Sequence, residues 1–115
     1  MTITEKILAR AAGKQGLSPG DVVFAKVDKV MMHDVSGPGV IKVFSEWEKK
    51  GVKLDHVWNP DRVWVTEDHF VPAADRVSAE NVITLSNFTK KYGISRHFKY
   101  GLGQYGICHT LSHEE

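Results

Sequence analysis

With one cysteine in 115 residues, Cys108, the chain has no internal disulfide. For the same reason one copy of it builds no cysteine-ligated metal or iron–sulfur site. Charge of one sign is missing too. Lys and Arg number 15 against 14 Asp and Glu, the formal net charge is +1 and no Lys/Arg cluster occurs, so nothing recommends nucleic acid or an anionic membrane as partner. No apolar run is long enough to span a bilayer, and Met1-Thr2-Ile3-Thr4-Glu5-Lys6 lacks the apolar core of a signal peptide. The expected compartment is the cytoplasm. There is no internal repeat, low-complexity tract or linker, and 115 residues suffice for one core but not two. Residues 1–115 are therefore read as a single domain.

What is present centres on Arg62 to Pro72, R-V-W-V-T-E-D-H-F-V-P. The β-branched and aromatic run Val63-Trp64-Val65-Thr66 ends in Glu67-Asp68-His69 and is stopped by Pro72. A buried strand delivers polar side chains to its C-terminal edge in this way, and that edge is where open α/β sheets bind ligands. Asp68 and His69 are the first candidates for chemistry, because an adjacent acid orients an imidazole and stabilises its charged form. A solvated or merely structural pair is the competing reading.

Thr2-Ile3-Thr4-Glu5 fits a capping box, and Ile7, Leu8, Ala11 and Ala12 follow at helical spacing up to Gly13. Ser18-Pro19-Gly20-Asp21 has turn chemistry, and the apolar run Val22-Val23-Phe24-Ala25 predicts a strand from Val22 to Val27. Val30 to Gly39 reads as a loop whose backbone passes close to something, or as a helix entry with Pro38 in the first turn. Val40, Ile41, Phe44 and Trp47 form a helical stripe ended by Gly51. A third helix is capped by Ser78, carries Val82, Leu85, Phe88 and Tyr92, and stops at Gly93. A last strand is placed near Arg96 to Tyr100. The alternation of helix and strand predicts a layered, three-layer α/β unit with a mainly parallel sheet.

The remaining motifs are weaker. Gly101-x-Gly103-x-x-Gly106 has dinucleotide-fingerprint spacing without the βαβ context or the acidic residue further on. His109 and His113 could share a helix face as zinc ligands, but no third ligand is evident. Cys108 reads as a small buried hydrophobe, since neighbours on an extended strand point to opposite faces and Cys108 and His109 would not form a nucleophile pair. His33, His56 and His97 read as structural or exposed.

Taken together, T-I-T-E-K-I-L-A-R-A-A-G-K, S-P-G-D, V-D-K-V-M-M-H-D, W-N-P-D-R-V, E-D-H-F-V-P-A-A-D, F-T-K-K-Y-G-I and G-I-C-H resemble, in collinear order from Thr2 to Glu115, the start of 3-isopropylmalate dehydratase large subunits. These belong to the aconitase superfamily of iron–sulfur hydro-lyases, so the fold implied is the first part of the aconitase N-terminal region. Similar members act as homoaconitase or dimethylmalate dehydratase. The resemblance implies lyase chemistry on a hydroxy di- or tricarboxylic acid, as in leucine biosynthesis, at a [4Fe-4S] cluster whose open iron acts as a Lewis acid on the leaving hydroxyl.

It further implies that His69 is the general acid, Asp68 its orienting partner and His109 a second active-site histidine. No side-chain role carries over to the loop from His33 to Pro38. The three cluster cysteines, the catalytic serine and the substrate arginines of the family lie later in the large subunit or in a small subunit, so Cys108 is not a cluster ligand and the chain reads as an N-terminal piece. Two classes of function follow. One is a part of a hydro-lyase, with exposed apolar faces and a tendency to self-associate. The other is a catalytically inactive module that binds a hydroxy acid or a dehydratase subunit.

Overall fold

A computed structural model describes residues 1–104 and 106–114; Tyr105, within the glycine motif, and Glu115 lie outside the described residues. The elements run α1 (Ile3–Ala11), β1 (Val30–His33), α2 (Gly37–Lys49), β2 (Val63–Thr66), α3 (Arg76–Tyr92), β3 (His97–Phe98) and α4 (Cys108–Glu114). The sheet has the order β1-β2-β3, and both pairings are parallel, with Val30 opposite Val63 and Val65 opposite His97. The α/β class with a parallel sheet thus holds.

β2 is the central strand, and all four of its residues are buried. Its side chains alternate between faces. Val63 and Val65 join Met32, Leu85, Phe88, Tyr92 and Ile94 in the core, with Ile41 and Phe44 of α2 packed against it. Helices α2 and α3 therefore cover one face. Trp64 faces the other way, where the Lys29 ammonium sits 3.4 Å from its ring centroid and Phe98 lies 5.5 Å away between centroids.

The close approach expected in the glycine loop is real and falls at Gly37. A Cβ there would stand 2.4 Å from Leu85 Cδ2, so only glycine lets the start of α2 reach the core. Pro38 occupies the first turn of the same helix, where its missing N–H costs nothing. Gly93 closes α3 at φ +65°.

Three expectations are corrected. Residues 22 to 27 form no strand, and Val22 and Phe24 are almost fully exposed. The turn at Ser18 to Asp21 does form, through Asp21 N–H to Ser18 O at 3.1 Å. The apolar run behind it has no neighbouring strand to pair with and is tied to α1 instead by Lys26 N–H to Ala11 O. The strand β1 forms eight residues later, in a Val-Met-Met-His stretch with little β-branching, because β2 lies beside it. The cap of α3 is Asp75, whose carboxylate accepts Ser78 N–H at 2.7 Å; Ser78 lies inside the helix. At the other end of the chain, Cys108 and His109 open α4 and are not strand neighbours. No helix among the described residues is long and apolar enough to cross a membrane.

Candidate functional site

Parallel strands end on the same edge of their sheet, so the residues just after β1, β2 and β3 meet. His33 and Asp34 follow from β1, Glu67-Asp68-His69 from β2, and the stretch after Phe98 from β3. This is the edge on which the sequence placed Asp68 and His69.

His69 is held from two sides. Its Nδ1 lies 2.6 Å from Asp68 Oδ1 and 3.6 Å from Asp34 Oδ1. Its backbone N–H donates to both oxygens of Asp34 at 3.1 and 3.2 Å, and the N–H of Phe70 donates to Asp34 Oδ2 at 2.7 Å. Asp34 is fully buried and acts as the anchor of the 69–70 turn. The His69 side chain is 41% exposed and its Nδ1 is engaged by Asp68.

Burial on its own would raise the Asp68 carboxyl. The backbone N–H of Cys108, which donates to Asp68 Oδ2 at 2.7 Å, and the hydrogen bond to His69 outweigh burial and hold the group below the usual carboxylate range. Asp68 is thus an ionised acceptor at neutral pH, and His69 Nδ1–H is the donor. That leaves Nε2 as the atom that takes or gives a proton.

His33 is the residue that sequence reasoning passed over. Its ring stacks on His69, centroids 4.1 Å apart and planes 18° from parallel. Its Nδ1 accepts the N–H groups of Val35 and Ser36 at 3.2 and 3.3 Å, which fixes its proton on Nε2. Burial lowers its pKa, the neighbouring His69 lowers it further and His109 adds to the effect, against the pull of Asp68 and Asp34. The available signal was an apolar run ending in His33-Asp34, the same pattern that ends β2.

His109 sits exposed in the first turn of α4, next to the buried Cys108 whose amide Asp68 holds. Of the three residues picked from sequence, Asp68 and His69 are in direct contact, and His109 follows Cys108, whose amide Asp68 holds. His97 is buried and structural, and His56 is exposed beside Asp55. His113 follows His109 by one helical turn on α4.

Donor atoms of His33, Asp34 and His69, and separately of Asp68, His69 and Cys108, lie within 4.8 Å of one another. Neither set suits an ion. A metal in the plane of one stacked ring stands well out of the plane of the other, and both oxygens of Asp34 are already taken by amides. Burial and the contact with Asp68 raise the Cys108 thiol above its ordinary range, which keeps it protonated, whereas metal and cluster ligation need thiolate. Among the described residues no set fits an iron–sulfur cluster.

No protein-family model matches the chain. Curated relatives do. It is 45% identical to the 3-isopropylmalate dehydratase large subunit of Heliobacterium modesticaldum and 46% identical to that of Aquifex aeolicus, in each case over all of its own length. It is 37% identical to a probable 3-isopropylmalate dehydratase large subunit of Methanothermobacter thermautotrophicus. The chain matches a portion of the 3-isopropylmalate dehydratase large subunit. It spans about a quarter of the length of these large subunits, 26% of the Heliobacterium chain and 25% of the Aquifex chain.

Proposed function

We propose that this chain is the N-terminal α/β part of an aconitase-type, cytoplasmic hydro-lyase acting on isopropylmalate, in which His69 is the general acid, Asp68 orients it and His109 is a second active-site histidine. The observation that carries the reading is the Asp68–His69 pair: an ionised carboxylate on Nδ1 of a partly exposed histidine, at the C-terminal edge of a parallel sheet. The chemistry follows from that arrangement. Dehydration of a hydroxy acid needs a proton delivered to the departing hydroxyl, and a protonated His69 delivers it from Nε2 while Asp68 stabilises the ring's charge. Rehydration returns the proton to the same atom. The Nε2–H of His33, beside it, is a fixed donor for a carboxylate or hydroxyl oxygen of the substrate.

The [4Fe-4S] cluster of the complete enzyme takes its ligands from elsewhere in the large subunit, and a small subunit closes the site. The exposed apolar residues agree with that division. Ile3, Ile7, Val22, Phe24 and Val27 form an unburied run on α1 and the segment after it, as expected for a surface that other polypeptide covers. This favours the hydro-lyase reading over a self-contained binding module. The names of the relatives favour isopropylmalate over the homoaconitase and dimethylmalate substrates.

The test is complementation. The purified chain, the remaining large-subunit polypeptide and a small subunit are reconstituted anaerobically with iron and sulfide, and hydration of an unsaturated dicarboxylate is followed. Activity that needs all three supports the reading. Turnover or a cluster spectrum from this chain alone, or equal turnover without it, would overturn it.

A further inference from the structure

Next to the Asp68–His69 pair lies a second, wholly buried polar chain that the proposed chemistry does not use. Glu67 is 3% exposed and His97 8% exposed, and Glu67 Oε1 lies 2.8 Å from His97 Nε2. On the ring's other side Nδ1 lies 2.9 Å from Thr89 Oγ1, and that hydroxyl also reaches Ser86 O at 3.1 Å. The second oxygen of Glu67 accepts Tyr100 N–H at 3.1 Å.

The backbone ladder between β2 and β3 ends with Glu67 N–H to Phe98 O. Beyond that point the Glu67 side chain continues the clamp as far as residue 100. A further tie runs from Cys108 N–H to Oδ2 of Asp68, two residues past the end of β2. Two consecutive carboxylates thus hold the two ends of the 100–108 connection, whose glycines 101 and 103 take positive φ and offer little stiffness of their own. A buried carboxylate is costly unless its lone pairs are filled, and His97 and Tyr100 fill them.

We infer that Glu67, held by His97, is a positioning residue: it fixes the take-off of the 100–108 connection so that Cys108 N–H meets Asp68 at the start of the helix that carries His109. The inference rests on the acid reading of His69 for its catalytic meaning, but its geometry is testable separately.

Cys108 N–H is a first-turn amide of α4 with no intrahelical acceptor, so its hydrogen exchange reports on the Asp68 bond. Exchange is measured by NMR on the full chain. His97→Gln keeps a donor where Nε2 stood, toward Glu67, and His97→Asn keeps a polar atom only toward Thr89. Glu67→Gln and His97→Asn are expected to speed Cys108 exchange about threefold or more, with α2 amides unchanged, whereas His97→Gln and Thr89→Val leave it near the parent rate. Equal rates in all four variants, or an effect of Thr89→Val as large as that of His97→Asn, would overturn the inference. Should Glu67→Gln or His97→Asn not fold, Glu67→Asp carries the test with the same expected acceleration, since it keeps the charge and draws the carboxylate back. In the complete enzyme His97→Asn is expected to lower kcat at unchanged KM, with rescue by His97→Gln. Unchanged kcat alongside the exchange effect would sink the acid reading and leave the clamp intact.

Discussion

The imidazoles of His33 and His69 stack with centroids 4.1 Å apart. Two charged rings at that distance repel, so the stack divides the work. His33, half-buried and with Nδ1 filled by two amides, stays neutral and gives His69 a flat wall that fixes its ring plane. A general acid is useful only in the right orientation.

That division predicts a split between two substitutions. An asparagine at position 33 can still accept the Val35 and Ser36 amides as an Asx turn, but it has no ring to stack. His33→Asn is expected to keep the stability of the chain while lowering kcat of the complete enzyme roughly tenfold or more. His33→Ala is expected to lower stability as well, because two amides lose their acceptor. Urea unfolding and steady-state kinetics read the two effects separately, and a fully active His33→Asn enzyme would remove His33 from the site.

Acid should destabilise the chain well before carboxylates titrate. His33 and His97 both have lowered pKa values, chiefly through burial. The groups acting on His97 are Glu67, which opposes the shift, and Lys99, which adds to it; those acting on His33 are His69, His109, Asp68 and Asp34. The unfolded chain takes up these protons near the ordinary histidine value of about 6.5, and the folded chain only at lower pH. The stability due to keeping both rings neutral is therefore present above about 6.5 and is lost as pH falls from there toward the folded values. Each such proton contributes a slope of at most about 1.4 kcal/mol per pH unit. Asp68, whose pKa is depressed, keeps its contribution until the pH reaches the carboxylate range below about 4. Urea midpoints should fall between about pH 7.5 and pH 5.5, and less so in His97→Gln; a midpoint flat over that range would contradict the burial argument.

Periodicity and edge logic made much of this arrangement legible in the sequence. The stripe of α2 and α3, the cap at Thr2, the stop at Gly93 and the strand Val63 to Thr66 are all local signals, and the polar triplet after that strand marked the sheet edge where the candidate site lies. What escaped was decided by partners distant in sequence. Val22 to Val27 has strand composition but no strand to pair with, while Val30 to His33 has weak composition and a ready neighbour in β2. Asp34 and His33 became important only because the parallel register carries them to residues 66–70, some 35 positions away. The Glu67–His97 contact likewise joins residues 30 apart, and no short motif encodes it.

Gly37 should tolerate no side chain. The Cβ of an alanine there would overlap Leu85 Cδ2, and Leu85 is fully buried in the core, so neighbouring core side chains must shift with it. Gly37→Ala is expected to cost roughly 1–3 kcal/mol in unfolding free energy through overpacking. Gly39→Ala, two residues on with nothing near the new Cβ, should be neutral or stabilising, since alanine is the better helix former. A measured cost at Gly39 equal to that at Gly37 would show that helix entry, not contact with Leu85, sets the requirement.

Asp34 offers the sharpest test of how the turn bearing His69 is held. Its two oxygens accept from His69 N–H and Phe70 N–H, and it is fully buried. Asp34→Asn keeps the volume but turns one acceptor into an NH2 donor, so His69 N–H, which donates to both oxygens in the parent, must share the one remaining oxygen with Phe70 N–H while an NH2 group stands beside it. An unmet buried amide costs about 1–3 kcal/mol. The expected result is a stability loss of that order, faster hydrogen exchange at Phe70 and, in the complete enzyme, a fall in kcat because the His69 backbone is no longer fixed. Asp34→Ala, which leaves both amides unmet in a cavity, should lose more. If Asp34→Asn kept both its stability and the slow exchange of Phe70 N–H, the anchor would have to lie in the Asp68 contact alone.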